Sequence, residues 1–432
     1  MSGCRGHEER SHPTENHLIP AARWRIQRPV WNRQVHVGGA HIQDVSRYKA
    51  GLFMTHRLRM GSWLFFVLAV ISGCSSQPSG SGKADGGAAA GGGKGEKRII
   101  LLTNGNSPFW DACRFGLQAG EKEFKLGDSG LKAVMEVNDG TPRGQIDKLR
   151  QFASQSDIVG VAISALDADN AAVVDEMRKL LKKGVHIICV DADVNREKFR
   201  DARPYYIGTD NLKGGVALGV AGRGVLESRN QQQGSYVQFV GRTGSHNARE
   251  RMDGFKSAVG EAFKEADRMG DDLDRTKAKE NVRNALTNHK DIVALVGIWS
   301  YNAPAIVDVC KEKGLRKEGA ANPAVVTFDA EPIAIEQMGE GHIDAMVVQN
   351  PYDMGFQAVR LLKAMVEKDE TVIKEMFPNQ GQPDGDLFDT GLKVVVPDEG
   401  SPLKQEMFES NVQFLQLKAF KDWLAQYDLK GS

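Results

Sequence analysis

Two aspartates stand directly behind short apolar runs: Asp191 after His186-Ile-Ile-Cys-Val190, and Asp329 after Ala324-Val-Val-Thr-Phe328. Carboxylates in such places do one of two things. They work as an acid–base pair, as Asp191 with Asp193 or Asp329 would in glycoside hydrolysis, or they accept hydrogen bonds from a hydroxylated ligand. Their companions favour the second. Thr103, Asn104, Asn106, Ser107, Phe109 and Trp110 close and follow the run that begins at Arg98, and Ser164 follows Val159-Gly-Val-Ala-Ile163. Gly244-Ser-His-Asn-Ala-Arg-Glu-Arg251 comes after Val240. Trp299, Tyr301 and Asn302 come after Val296, and Gln349-Asn350 after Val348. Flat rings cover the C–H faces of a sugar, while carboxylates, amides and a guanidinium take its hydroxyls. The set therefore suits a neutral polyol.

No nucleophile elbow, cofactor fingerprint or Ser/His/Asp order accompanies these residues. His186, His289 and His342 lack metal-ligand spacing, and no group of His, Cys and carboxylate suggests zinc. The Gly-rich stretch at 75–95 lacks the phosphate-loop spacing and precedes the first strand. The expectation is a binding protein and not an enzyme, with no cofactor and no metal. Each candidate also has a structural reading. Asp191 and Asp329 would cap helices, Trp110 would pack the first helix on its sheet, and Arg249 would be one more surface charge. Arg251 reads as structural, and Asn247 as the cap of its own helix.

Positioning falls to strands and amphipathic helices that alternate from residue 98 onward. Strands are expected at 98–103, 133–137, 159–163 and 186–190, with helices at 108–125, 144–156 and 168–183 between them. The pattern restarts with a helix at 214–226, a strand at 235–240, and helices at 247–266 and 276–288. A strand at 292–296, a helix at 303–313, strands at 324–328 and 343–348, and a helix at 351–368 complete it. Continuous β-branched runs mark strands buried on both faces of a parallel sheet, and the alternation implies βαβ units. The fold class is α/β, with two Rossmann-like lobes whose parallel sheets are flanked by helices. Ligands in such sheets bind outside the carboxyl ends of the strands. Residues 402–427 read as one or two amphipathic helices that pack back on a lobe or offer an apolar face to a partner.

The order Asn106-Ser-Pro-Phe-Trp110, Val190-Asp191, Ala248-Arg-Glu-Arg251, Phe328-Asp329 and Val348-Gln349 resembles the periplasmic sugar-binding proteins of the ribose-binding type, over roughly residues 97–396. The resemblance implies two lobes with a three-strand hinge, closing over a pyranose or furanose and delivering it to an ABC-transporter permease. It places the sugar contacts on Thr103, Ser107, Phe109, Trp110, Ser164, Asp191, Arg249, Trp299, Asp329 and Gln349. The lobes then comprise 97–209 plus 350–391, and 210–349 plus 392–432. Four departures bear on the cargo. Ala192 stands where ribose binders carry Arg, Ser164 where Asn is common, Trp299 where they use Asn, and Leu273 where an aromatic is often found. A different pentose, a hexose or a polyol stays open. Similar lobes also present sugars to chemoreceptors and histidine kinases, so a sugar-sensing module is the alternative.

Upstream, Trp63-Leu-Phe-Phe-Val-Leu-Ala-Val-Ile71 follows the basic Arg57-Leu-Arg59 and precedes Ser72-Gly-Cys74, the layout of a secretory signal peptide. The run is short of the ~20 apolar residues of a transmembrane helix. Ile71-Ser-Gly-Cys74 resembles the lipobox of bacterial lipoproteins, which implies cleavage before Cys74, lipidation there, and a periplasmic protein anchored to a cell-envelope membrane. Residues 1–53 read as a non-native extension, 54–73 as the signal peptide and 74–96 as a Gly/Ser-rich tether. The 56 basic and 56 acidic residues cancel, which argues against nucleic acid as a partner. Cys113, Cys189 and Cys310 are far apart and odd in number, so buried thiols are expected in place of a disulfide scaffold. The expected state is a monomer.

Overall fold

The computed structural model describes residues 95–316 and 323–432, within a compact unit spanning Gly86–Ser432. The expected extension, signal peptide and lipidated Cys74 lie outside the described residues, as does nearly all of the tether. The chain begins with β1 (Lys97–Leu102), α1 (Pro108–Glu123), β2 (Leu131–Glu136), α2 (Pro142–Ala153), β3 (Ile158–Ile163), α3 (Ala171–Lys182), β4 (His186–Val190), α4 (Arg196–Phe199) and β5 (Tyr206–Gly208). It continues with α5 (Asn211–Ser228), β6 (Gly234–Val240), α6 (His246–Ala258), β7 (Phe263–Gly270), α7 (Arg275–Asn288), β8 (Ile292–Gly297), α8 (Asn302–Glu312), β9 (Ala324–Phe328), α9 (Pro332–Gly339) and β10 (Ala345–Val348). Then come α10 (Pro351–Glu367), α11 (Glu370–Met376), β11 (Leu387–Asp389), β12 (Leu392–Val396), β13 (Val412–Gln416) and α12 (Leu417–Ala425).

Two sheets result, ordered β11-β5-β4-β3-β1-β2 and β13-β12-β10-β9-β8-β6-β7. The chain passes between them at 208–211, 348–351 and 389–392. Central strands are buried along nearly their whole length, as in Ile99–Leu102, Ile187–Val190, Ala324–Phe328 and Ala345–Val348, which explains their unbroken apolar runs. The described strand pairings are parallel apart from β10 with β12, an antiparallel step made after the third crossing.

Three expectations need correction. The helix read over 247–266 ends at Ala258, and Gly260 at φ +103° turns the chain into the edge strand β7. The β7 sequence Phe-Lys-Glu-Ala-Asp-Arg-Met-Gly is mostly half-buried and charged, as suits a sheet edge, so it carries no apolar run to read. The stretch 402–427 holds one α-helix, α12, and a single 3-10 turn at Gln405–Met407, with β13 between them adding in parallel to β12. The second sheet is therefore mixed and not purely parallel.

Each lobe brings one helix pair unusually close. A Cβ on Gly116 of α1 would stand 1.8 Å from the Tyr352 carbonyl of α10, and one on Gly215 of α5 would stand 2.3 Å from the Arg251 carbonyl of α6. Only glycine permits these approaches. They seat the opening turns of α1 and α6 beside the strand ends, with Phe109 and Trp110 on one side and Asn247 and Arg251 on the other.

Candidate functional site

The carboxyl ends of β1, β4, β8, β9 and β10 converge on one cleft, the place where α/β sheets bind their ligands. Asp191 and Asp329 occupy equivalent places in it. Each follows its strand in the left-handed region, at φ +62° and +64°, a conformation that Asp tolerates better than most side chains. Asp191 Oδ2 accepts from Ser164 Oγ at 2.8 Å and from Asn104 Nδ2 at 3.4 Å, and Asp329 Oδ1 accepts from Gln349 Nε2 at 2.7 Å. Burial pushes both carboxyl groups upward, Asp329 to about 6, against the pull of the Arg251 guanidinium.

Arg251 is buried from solvent. Its Nε donates to Asn211 Oδ1 at 2.9 Å and its Nη1 to the Ile298 carbonyl at 3.2 Å, with Asp329 Oδ2 3.7 Å away. Its guanidinium sits 4.0 Å from the centre of the Phe328 ring. Four buried polar atoms around the cleft have no partner among the described residues: Arg251 Nη2, Trp299 Nε1, Asn247 Oδ1 and Gln349 Oε1. Each such group costs ~1–3 kcal/mol when left unpaired, and two donors with two acceptors match the hydroxyls of a polyol. Aromatic walls complete the cleft. Phe109 and Trp110 meet edge to face at 5.0 Å, Trp110 Nε1 donates to Asn104 Oδ1 at 3.2 Å, and Trp299 lies flush against Gly241.

Of the expected contacts, Ser107, Phe109, Trp110, Asp191, Trp299, Asp329 and Gln349 line this cleft together. Thr103 and Ser164 sit one layer behind it, both fully buried. Thr103 Oγ1 donates to the Gly105 carbonyl at 2.7 Å and accepts from the Asn138 amide, so it shapes the loop after β1, while Ser164 orients Asp191. Arg249 points away from the cleft. Its Nη1 pairs with Asp169 Oδ2 at 2.6 Å on the opposite lobe. Residues two apart on a helix project about 200° apart, so Arg251 takes the cleft in its place. Asn247 does not cap α6. Ser245 stands at the cap, its hydroxyl donating across the lobes to the Leu166 carbonyl, while Asn247 lines the cleft with Asp191. Nor do the two aspartates cap helices, since Asn195 precedes α4 and Glu331 precedes α9.

Two buried supports were not read from the sequence. Gln145 Nε2 donates to the carbonyls of Thr103 (3.3 Å) and Ser164 (2.7 Å), tying the ends of β1 and β3 together. Asp271, pushed up to about 6 by burial, accepts from Tyr301 Oη at 2.5 Å and Asn302 Nδ2 at 3.0 Å. Tyr301 and Asn302, two polar groups behind a buried strand, were the available signal that a partner must exist.

The lobes touch directly at the Arg249–Asp169 pair, where Lys198 Nζ also reaches Asp169 at 2.9 Å. Both partners are about one-third exposed, so the pair is worth ~0.2–1 kcal/mol. Asp169→Asn is expected to weaken ligand binding about twofold to fivefold at low salt, with the difference vanishing at about 1 M salt. Titration calorimetry at the two salt concentrations checks this.

Residues 99–370 match the model of a family described as periplasmic binding protein domain. The chain is 25% identical over 307 residues to the D-allose-binding periplasmic protein of Escherichia coli strain K12, covering 69% of this chain and 91% of that protein. It is 24% identical over 276 residues to the ribose import binding protein of Salmonella typhimurium, covering 64% and 86%. A solved ABC-transporter solute-binding protein from Burkholderia graminis, in complex with D-arabinose, shares the fold at a TM-score of 0.59 and 24% identity, over 71% of this chain and 97% of that one.

Proposed function

Since the chain belongs to the periplasmic binding protein domain family, we propose that it captures a neutral monosaccharide or polyol between its lobes and hands it to an ABC-transporter permease. One observation carries the cargo class: two buried carboxylates flank a buried guanidinium inside a cleft walled by Phe109, Trp110 and Trp299. Arg275, at the rim, is already held by both oxygens of Glu331 at 2.8 and 3.2 Å. Among the described residues lining the cleft, the carboxylates of Asp191 and Asp329 outnumber the Arg251 guanidinium, so an uncharged ligand fits better than an anionic one. The relatives named for D-allose and ribose support a sugar of five or six carbons, and the import role in the ribose relative's name favours transport over the sensory alternative.

Binding and closure are one event in this reading. Phe109, Trp110 and Asp191 come from the first lobe, comprising 97–209 with 350–391. Arg251, Trp299, Asp329 and Gln349 come from or border the second, 210–349 with 392–432. A ligand touching both sets binds the closed form more tightly and shifts the population toward it. The carboxylates act as hydrogen-bond acceptors, and no bond of the ligand is broken. The lipobox-like Ile71-Ser-Gly-Cys74 supports tethering through Cys74 to a cell-envelope membrane.

A thermal-shift panel on residues 96–432 tests the reading with D-ribose, D-allose, D-arabinose, D-tagatose and xylitol. A true ligand at a hundredfold excess over Kd adds about 2.7 kcal/mol of stability and raises Tm accordingly. A panel without any shift overturns the sugar reading.

A further inference from the structure

Residues 417–432 return behind the cleft. Phe420 and Leu424 of α12 are buried in the core of the second lobe, and the Tyr427 ring lies 4.4 Å from that of Tyr352 at the start of α10. Asp428, at φ +56°, turns the chain inward, and Leu429 is buried. The next residues make a short pairing. The Ser432 amide donates to the Ala330 carbonyl at 2.9 Å, and the Ser432 carbonyl accepts from the Ala330 amide at 2.7 Å. Ser432 Oγ donates to the Gln349 carbonyl at 3.0 Å, and the residue is 1% exposed. A Cβ on Gly431 would lie 2.6 Å from the Ala330 carbonyl oxygen and 2.8 Å from Pro332 Cδ, so the approach requires glycine.

These contacts land on the ligand groups' own backbone. Ala330 follows Asp329, and Gln349 begins the second crossing between the sheets. On one side the Asp329 amide donates to the Val347 carbonyl at 2.8 Å; on the other, Ala330 is held by Ser432. The left-handed turn at Asp329 lies beyond the end of β9, so these two flanking pairings define it.

We propose that Gly431 and Ser432 are positioning residues of the binding site: they fix the Asp329–Ala330 turn and the Gln349 crossing, so that carboxylate and amide meet the ligand in one geometry. The proposal deepens the sugar-binding reading and rests on it. The segment touches no ligand itself and acts through Asp329 and Gln349.

The test compares wild type, Ser432→Ala, Gly431→Val and a chain stopped after Tyr427, using whichever panel sugar shifts the wild type most. Ser432→Ala is expected to weaken Kd about threefold to tenfold, and the shortened chain tenfold or more, as fits the loss of one and of several hydrogen bonds. The ligand-free Tm should fall by no more than a few degrees. A segment that only stabilises the lobe would lower the ligand-free Tm and leave Kd unchanged in Ser432→Ala, and that result overturns the proposal. Should Gly431→Val fail to fold, Ser432→Ala decides the matter. If no sugar shifts the wild type, the sugar reading has failed, and hydrogen exchange at the Ala330 amide decides the positioning role without ligand. Exchange much faster in the shortened chain upholds it, and equal exchange overturns it.

Discussion

Arg251→Met should weaken sugar binding by ~30-fold or more, whereas Arg249→Ala should cost only a few fold. The two arginines sit two residues apart on one helix and differ in what surrounds them. Arg251 is 1% exposed, donates to Asn211 and Ile298, stacks on Phe328, stands with Nη1 3.7 Å from Asp329 and keeps Nη2 unpartnered. Methionine retains the stem and removes the fork, so Asp191 and Asp329 lose the positive charge that opposes their desolvation. Breaking a buried ion pair by removing one partner costs ~3–5 kcal/mol, much of it from the charge left behind. Arg251→Lys should fall between, since a point charge cannot satisfy Asn211, the Ile298 carbonyl and a ligand hydroxyl together. Calorimetry at pH 7.5, with circular dichroism to confirm folding, checks the series. A folded Arg251→Met protein that binds within threefold of wild type would remove Arg251 from the site.

The same pair of arginines shows where sequence reasoning stopped. Strands buried on both faces announced themselves as unbroken apolar runs, and the residue after such a run has a determined place at the sheet's edge. That is why Asp191, Asp329, Trp299 and Gln349 were legible. Choosing between Arg249 and Arg251 needed the phase of a helix. Ala248, Met252 and Phe255 are its buried stripe, and Arg251 shares that stripe while Arg249 does not, so a stricter count of i, i+3 and i+4 neighbours would have chosen correctly. Edge strand β7 was hidden because its charged residues leave no apolar run, and β13 because Val412, Phe414 and Leu415 also fit the apolar stripe of a helix. Gln145 and Ser432 were illegible for another reason. Their partners lie 19 and 83 residues away, and no local pattern encodes a contact that only the closed fold creates.

Asp329→Asn should raise the ligand-free melting temperature at pH 7.5 while reducing sugar affinity, a split that few other substitutions would produce. The Asp329 carboxyl is buried behind β9 and stands at about 6 in place of its ordinary 3.8. A folded-state value above the unfolded one means that the native protein holds this proton more tightly than the unfolded chain. The charged form therefore destabilises the fold fully above about pH 6, and the penalty is relieved as pH falls from 6 toward 4. The gap from 3.8 to about 6 corresponds to ~3 kcal/mol, with Arg251's attraction already counted against it. Asparagine keeps the shape and still accepts from Gln349, without the buried charge. Asp271, also pushed up to about 6 by burial, adds to the same trend in the wild type. Wild-type Tm should thus rise as pH is lowered from 8 toward 5, and Asp329→Asn should flatten that rise. Below about pH 4 the trend reverses, because Asp169, held well below its usual range by Arg249 and Lys198, loses its ion pairs on protonation. Affinity moves the other way: the ligand's hydroxyl donors need the carboxylate, so exchanging it for an amide should weaken Kd by ~10-fold or more. Ligand-free melting curves at half-unit pH steps, paired with calorimetry at pH 7.5, measure both halves. A lower ligand-free Tm for Asp329→Asn at pH 7.5 would mean that the charge stabilises the fold, and that its burial beside Arg251 is fully compensated before any sugar arrives.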